Sequence, residues 1–397
     1  MSAPVSRIAL LDALRGAGIL GILVVHVQLF AMPMPVRHDP TAYVVSGADP
    51  TVWLAVRVLA DGKFLTLFAL LFGAGIAIQA ARGNGGRGAT AAHYRRTAAL
   101  LALGLLHAYL LWYGDMLVTF AVCAALVFPH RDRAPGWLIG TGLAVLAVAP
   151  LLSVALAWDG PEVLAVSGAW SAAPEAVTRE VTAYRGGWLL QQAHRAPTAF
   201  EAHTSYLAFH GAWETSGLML LGMGLFRVGL LAGRWPTRRY AALAAAGFGA
   251  GIPLLLLGAR RSAAHGWDLR DHMLVGIHLD YWGNLLVGLG WVAAIVLLHR
   301  RGLVPRAVEA VGRTALSNYL LASVLCTAVF YGHGLGLFGS VGRLGQLGVV
   351  AAVWTVQLAA ASWWVARFSV GPVEWVLRWA MHGRTTPLRL TAAEPAA

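Results

Sequence analysis

Histidines, carboxylates and arginines set inside apolar stretches are the residues of this chain with chemistry to do. A histidine oriented by a carboxylate can take and return a proton near neutral pH. Guanidinium groups can hold phosphates in a fixed, forked geometry. The first such stretch, RIALLDALRGAGILGILVVHVQLF from Arg7 to Phe30, carries Asp12, Arg15 and His26. Arg15 and His26 are 11 residues apart, close to three helical turns or about 16 Å of rise, so they share a face. Asp12 and Arg15 are spaced i,i+3 on that face and can pair. Charge inside a span is costly, so these groups are read as functional, or as paired and turned inward.

The elements that must position them are membrane helices. Of the 397 residues 58% are hydrophobic and 12% charged, against about 25% charged in soluble domains. The fold expected is an all-α polytopic helix bundle of about ten transmembrane helices, near 8–30, 63–81, 94–110, 113–129, 137–157, 204–230, 239–258, 274–298, 312–332 and 344–366. An even number puts both termini on one side. That side holds 19 of the 30 Lys and Arg residues, so the positive-inside bias places both termini in the cytoplasm. The net charge of +12 is divided by the membrane, and no nucleic-acid partner is expected. No cleavable signal is expected at the first apolar run, and Cys123 and Cys326 read as small core residues.

The whole chain, 1–397, reads as one transmembrane domain: an N-terminal five-helix half (7–157) carrying the site, an outer loop (158–203), a C-terminal five-helix half (204–384) and a disordered tail (385–397). In segment 31–62, TVWLAVRVLA is too short to span and suits the outer surface. In the outer loop, PEAVTREVTAYRGGWLLQQAHRAP suits an amphipathic helix starting at Pro174 and capping that face.

Depth sorts the polar residues into two clusters. The outer one holds His26, Asp61, Lys63, His107 and Asp115, joined by His210, Glu214, His278, Asp280 and His333. The hairpin LLWYGD is so short that His107 and Asp115 lie at one level. His26, His107, Asp61 and Asp115 are the catalytic candidates, with Lys63, Trp112, His210 and Glu214 around them to hold a substrate. His and Asp also ligate zinc and iron, yet no HxxxH or HxxE spacing occurs on one helix, so no metal is expected. The inner cluster holds Asp12, Arg15, Arg95, Arg96, Arg313, Asn318 and Tyr319, with Glu374 and Arg378. Its arginines either hold phosphates or only set topology.

LLDALRGAGILGILVVH, DGKFLTLFALLFGAGIAI, RRTAALLALGLLHAYLLWYGDML, VGRTALSNYLLAS with YGHGLGLFG, and GPVEWVLRW, in that order, resemble the YeiB family of bacterial inner-membrane proteins. The last two blocks resemble its C-terminal domain of unknown function 418. The resemblance covers about residues 7–384 and implies a place in the bacterial cytoplasmic (inner) membrane. It also implies distant kinship with transmembrane acyltransferases, including heparan-alpha-glucosaminide N-acetyltransferase, which take an acyl group from cytosolic acyl-CoA to an acceptor across the membrane. The D-x-x-R-G start is similar to that of acyltransferase-three enzymes, which carry a functional histidine 11 residues after the arginine; here that is His26. Many YeiB proteins have Asn at that point, and the departure favours proton transfer by His26.

Two functions follow from these residues and this resemblance. The first is transfer of an acyl group, acetyl above all, from cytosolic acetyl-CoA or another acyl-CoA to a hydroxyl or amine at the outer side. Asp12, Arg15, Arg95, Arg96, Arg313 and Asn318 would bind the acyl-CoA, and His26, helped by Asp61 or Asp115, would deprotonate the acceptor. The alternative is a transporter of a small or lipid-linked solute with the same groups as a proton relay, which matched broken spans would favour. The partners expected are the lipid bilayer, acyl-CoA and a sugar, metabolite or lipid acceptor; a homodimer stays open.

Overall fold

The computed structural model describes residues 9–82, 87–158, 174–382 and 388–389. Arg7, the glycine-rich tract 83–86, residues 159–173 of the outer loop and the tail 385–397, save Leu388 and Arg389, lie outside the described residues. Apolar sequence in lipid must satisfy every backbone N–H internally, which an α-helix does. The helices are α1 (Ala9–Ala31), α2 (Asp49–Leu59), α3 (Lys63–Arg82), α4 (Arg87–Leu110), α5 (Leu117–Val127), α6 (Pro135–Trp158), α7 (Pro174–Arg185), α8 (Trp188–Glu201), α9 (Ala212–Arg227), α10 (Thr237–Ala264), the single turn α11 (Leu269–Asp271), α12 (Ile277–Arg300), α13 (Arg306–Arg313), α14 (Ala315–Phe330), α15 (Arg343–Val365) and α16 (Pro372–His382). Two π-helical stretches, Ala202–Gly211 and His272–Gly276, run α8 into α9 and α11 into α12.

Among the described residues, six helical segments are long and apolar enough to cross a bilayer, a number compatible with a multi-pass membrane protein: Ala9–Ala31, Asp49–Ala81, Pro135–Trp158, Thr237–Ala264, Leu269–Arg300 and Arg343–Val365. Helices α13 and α14 add a seventh if their 91° bend is one broken span. The other expected spans are helical but less clear-cut. Helix α4 carries Arg95 and Arg96 in its first half, α5 has only 11 residues, and 204–230 divides between a π stretch and α9. The segment expected on the outer surface is α2, which turns at Asp61 and Gly62 straight into α3 and buries Trp53, Val56, Arg57 and Val58.

Helix α1 is the hub: 67% of its apolar window is buried, against 22% for α10 and 28% for α15 at the periphery. Small residues let it be crossed closely. At the crossing with α13, a Cβ on Gly16 would stand 1.9 Å from the Val308 carbonyl oxygen, and one on Gly312 would stand 1.8 Å from that of Asp12. No side chain fits there. The crossing puts Asp12 and Arg15 on the same cavity wall as Arg313, at the end of the bundle where the arginines gather.

The opposite end is closed by α7 and α8. The expected amphipathic helix is broken in two at Gly186 and Gly187, and the turn lets its halves fold over the loops below. Tyr184 is wholly buried, its ring centroid 4.6 Å from that of Tyr331 and 4.9 Å from that of Phe338, while Gly332 N–H donates to its carbonyl at 2.8 Å. Arg195, also wholly buried, donates to the Leu110 carbonyl at 2.5 Å and to Gln191 Oε1 at 2.9 Å. Leu110 ends α4, so the guanidinium and the Trp188 indole N–H, which donates at 3.0 Å, together cap a carbonyl that has no donor within its own helix.

Burial makes this cap pH-sensitive. Glu180 on α7 accepts the Met34 backbone N–H at 3.3 Å, with His194 Nε2 3.9 Å away. Burial pushes its carboxyl up to about 7, the Met34 N–H opposing only part of the rise. A carboxyl whose folded pKa lies above its unfolded value stabilises fully below the unfolded value, about 4.3, and loses that contribution as pH rises through about 7. In thermal unfolding of the detergent-solubilised protein the Tm of the parent is expected to fall relative to that of Glu180→Gln as pH rises from about 4 to about 7, with no further change in the difference above that.

Candidate functional site

The site is built from the C-terminal end of α4. Helix α4 closes when the N–H groups of Leu111 and Trp112 both bond to the His107 carbonyl at 2.9 Å, and the chain then turns down into α5. Gly104 permits the close return: a Cβ there would stand 2.7 Å from Val118 N and 2.9 Å from Asp115 Oδ2. Asp115 Oδ2 accepts the Val118 N–H at 2.9 Å, anchoring the carboxylate on the first turn of α5. Its other oxygen, Oδ1, lies 2.8 Å from His107 Nδ1. The tautomer with Nδ1–H and a lone pair on Nε2 satisfies both contacts, donating to the carboxylate and accepting at the other nitrogen. Ser323 on α14 completes the line, with Oγ 2.9 Å from His107 Nε2. The three groups are buried, and they come from three elements. Their order, carboxylate to imidazole to hydroxyl, is that of a serine nucleophile with its base.

Below this line opens a cavity of about 630 Å³ that extends to the arginine-rich end. Its mouth holds Asp12, Arg15, Arg96, Arg313, Glu374 and Arg378, and its walls are apolar, with Phe68, Phe72, Leu100 and Phe120 among them. Arg15 Nη1 bonds Asp12 at 3.2 Å, the i,i+3 pair expected. Glu374 is held for structural work: it accepts the N–H groups of Leu316 at 2.7 Å and Ser317 at 3.2 Å, and the Ser317 hydroxyl at 2.5 Å. It caps α14, whose start is sharply turned from α13. The inner end of the cavity is Tyr319, with Met116, Leu117 and Ile22 beside it. Tyr319 packs on His107 with ring centroids 5.2 Å apart, and its hydroxyl oxygen accepts the Met116 N–H at 3.2 Å. One ring separates cavity from relay.

The other expected catalytic residues stand elsewhere. His26 lies across the wholly buried indole of Trp112, its ring centroid 4.8 Å from the indole while that of His107 is 6.2 Å from it on another side. Asp61 faces Arg37 at 3.7 Å. Asp115 therefore serves His107, and neither carboxylate is hydrogen-bonded to His26. Lys63 is wholly buried and donates to the Arg57 carbonyl, and Arg57 in turn pairs with Asp280 at 2.5 Å. His210 and Glu214 pair at 3.4 Å where the π stretch meets α9, and Trp112 is a wedge between polar groups. In the inner cluster Asp12, Arg15, Arg96 and Arg313 line the cavity; Arg95 and Asn318 do not. Arg95 lies on an exposed face of α4, and Asn318 donates to the Thr314 hydroxyl at 2.8 Å and its carbonyl at 3.0 Å. Among the described residues no group of three or more His, Cys, Asp and Glu is placed to hold a metal.

Sequence reasoning missed Ser323, and Gln79 on the cavity wall. The signal for the serine was present: Tyr319 and Ser323 are i,i+4 on one apolar helix, so a polar stripe faces one direction. Because Asp115 joins the start of α5 to His107, Asp115→Ala is expected to lower stability by about 1–3 kcal/mol. Thermal unfolding in detergent would read this, with Asp115→Asn falling between it and the parent.

The family model described as "Protein of unknown function (DUF418)" matches residues 225–384. The chain is 31% identical over 400 residues to the "Uncharacterized protein YeiB" of Escherichia coli (strain K12), covering 97% of each chain. It is 26% identical to the "Uncharacterized protein YxaH" of Bacillus subtilis (strain 168), covering 96% of each. It is 22% identical to an "Uncharacterized 39.9 kDa protein in amylase 3'region" of Bacillus acidopullulyticus, over 97% of this chain and 96% of that one. No solved structure matches. Full-length similarity at this level shows that the chain belongs to the YeiB family.

Proposed function

We propose that this protein is a transmembrane acyltransferase of the bacterial cytoplasmic membrane, with ten spans and both termini in the cytoplasm. It would move an acyl group from cytosolic acyl-CoA to a hydroxyl or amine on the outer side. The observation that carries the reading is the cavity: arginines at its mouth, apolar walls along its length, and a histidine–carboxylate pair one ring beyond its inner end. A volume of about 630 Å³ is within the range of small-molecule sites, roughly 300–1,000 Å³. Arg15, Arg96, Arg313 and Arg378 suit the phosphates of acyl-CoA, and the apolar wall suits its pantetheine arm and acyl chain. His107, oriented by Asp115, is the base at the thioester end. His26, beyond Trp112, would serve the acceptor. The acceptor is a sugar, a metabolite or a lipid head group.

Transport is the second reading, favoured by the 91° break between α13 and α14. Transporters use such breaks in matched pairs, and among the described residues this is the single one. Acetyl-CoA added to the purified protein is expected to raise its Tm, the gain approaching about 2.7 kcal/mol at 100 times Kd. Arg15→Ala and Arg96→Ala are expected to lose most of that gain. No shift with acetyl-CoA or longer acyl-CoAs would count against the acyltransferase reading and lead to solute-uptake assays.

A further inference from the structure

We infer that Ser323 is the nucleophile of a two-step transfer, carrying the acyl group as an ester between acyl-CoA and the acceptor. This rests on the acyltransferase reading and adds the route the acyl group takes. Ser323 Oγ is 2.9 Å from His107 Nε2, and Asp115 Oδ1 is 2.8 Å from Nδ1. The hydroxyl proton has a second acceptor, the Tyr319 carbonyl at 3.4 Å, but the imidazole is nearer and the stronger base. Tyr319 and Ser323 lie one turn apart on one face of α14, so the serine is about 6 Å of helix rise beyond the side chain that ends the cavity. With Met116 N–H on the acceptor side of its phenol, Tyr319 has its own O–H to donate to an acyl oxygen arriving from the cavity, as an oxyanion-hole donor would.

The walls on either side of the relay give a reason for two steps. On the arginine side Tyr319 shuts the cavity from His107; on the other, the wholly buried Trp112 separates His107 from His26. Direct transfer would need thioester and acceptor at one point, with both walls open at once. A serine ester needs one open at a time, which keeps a path through the membrane from forming.

In the first step Ser323 Oγ attacks the thioester carbonyl carbon while its proton passes to His107 Nε2. The C–S bond breaks, and the leaving thiolate takes that proton, giving free CoA thiol and an ester on Ser323. In the second step the acceptor hydroxyl or amine gives its proton to His107 Nε2 and attacks the ester carbonyl. The C–O bond to Ser323 breaks and the serine oxygen recovers the proton from the imidazolium. Asp115 stays ionised throughout and steadies the charged ring.

The test is incubation of the full-length protein in detergent with radiolabelled acetyl-CoA, followed by denaturation, peptide mapping and measurement of free CoA thiol. The expected result is a covalent acetyl group on Ser323 with an equivalent of thiol released. Ser323→Ala is expected to lose the label and Ser323→Cys to regain it as a thioester. His107→Gln is expected to slow labelling on the order of 10²–10⁴-fold. Acetyl-CoA that binds by thermal shift and acetylates added hydroxylamine at the parent rate in Ser323→Ala would overturn the serine step while leaving the acyltransferase reading standing. A label on His107 in place of Ser323 would overturn it equally. Acetyl-CoA that neither binds nor reacts would overturn both.

Discussion

At His107, an imidazole buried among apolar helices, both ring nitrogens are satisfied, and the partners that satisfy them tie the molecule together. Unmet, each buried polar group costs about 1–3 kcal/mol. Nδ1 is satisfied by a carboxylate that also anchors the start of α5, and Nε2 by a hydroxyl from α14. The position of α4 is itself held from the capped end, where Arg195 and the Trp188 indole N–H both donate to the last carbonyl of that helix. One histidine thus sets the mutual registry of α4, α5 and α14, and the cap of α7 and α8 locks that registry from above.

The same economy of partners separates the charges of the molecule. Guanidinium groups that pair within the capped half, such as Arg57 with Asp280 and Arg343 with Asp49 at 3.9 Å, are committed to carboxylates and backbone. At the other end Glu374 is given to the N-terminus of α14, and four arginines share a cavity mouth with one further carboxylate, Asp12. Guanidinium groups gathered at one cavity mouth suit an anion. The bend between α13 and α14 lies on the cavity wall, which takes Gly312 and Arg313 from one helix and Ala315, Leu316 and Tyr319 from the other.

Sequence legibility followed the range of each interaction. Asp12 with Arg15 could be read from i,i+3 geometry; the short hairpin put His107 and Asp115 at one level, while the carboxylate expected to help His26 stands on His107 instead. Hydropathy put His26 and His107 at one level of the bundle. Rotation about the bundle axis was not readable: His26 and His107 share a level but face different sides of Trp112. Ser323 is 216 positions from His107, and no local pattern joins them, although the i,i+4 stripe with Tyr319 marks a polar face on α14. The broken span near 312–332 was read as one helix because its hydropathy is continuous; Thr314, at φ −119° and ψ 38°, leaves the helical region with no proline or glycine at the break itself. The cap was legible as amphipathic helix, and its division into two halves follows from the glycine pair at 186 and 187.

All of this turns on the cavity and the relay being one site. The most direct measurement is a cryo-electron microscopy structure of the protein with a non-hydrolysable acetyl-CoA analogue. The account predicts phosphates among Arg15, Arg96, Arg313 and Arg378, and the acyl carbon past a displaced Tyr319 ring, within reach of Ser323 Oγ. An analogue bound at another surface, or a cavity filled by a lipid tail in its presence, would contradict it.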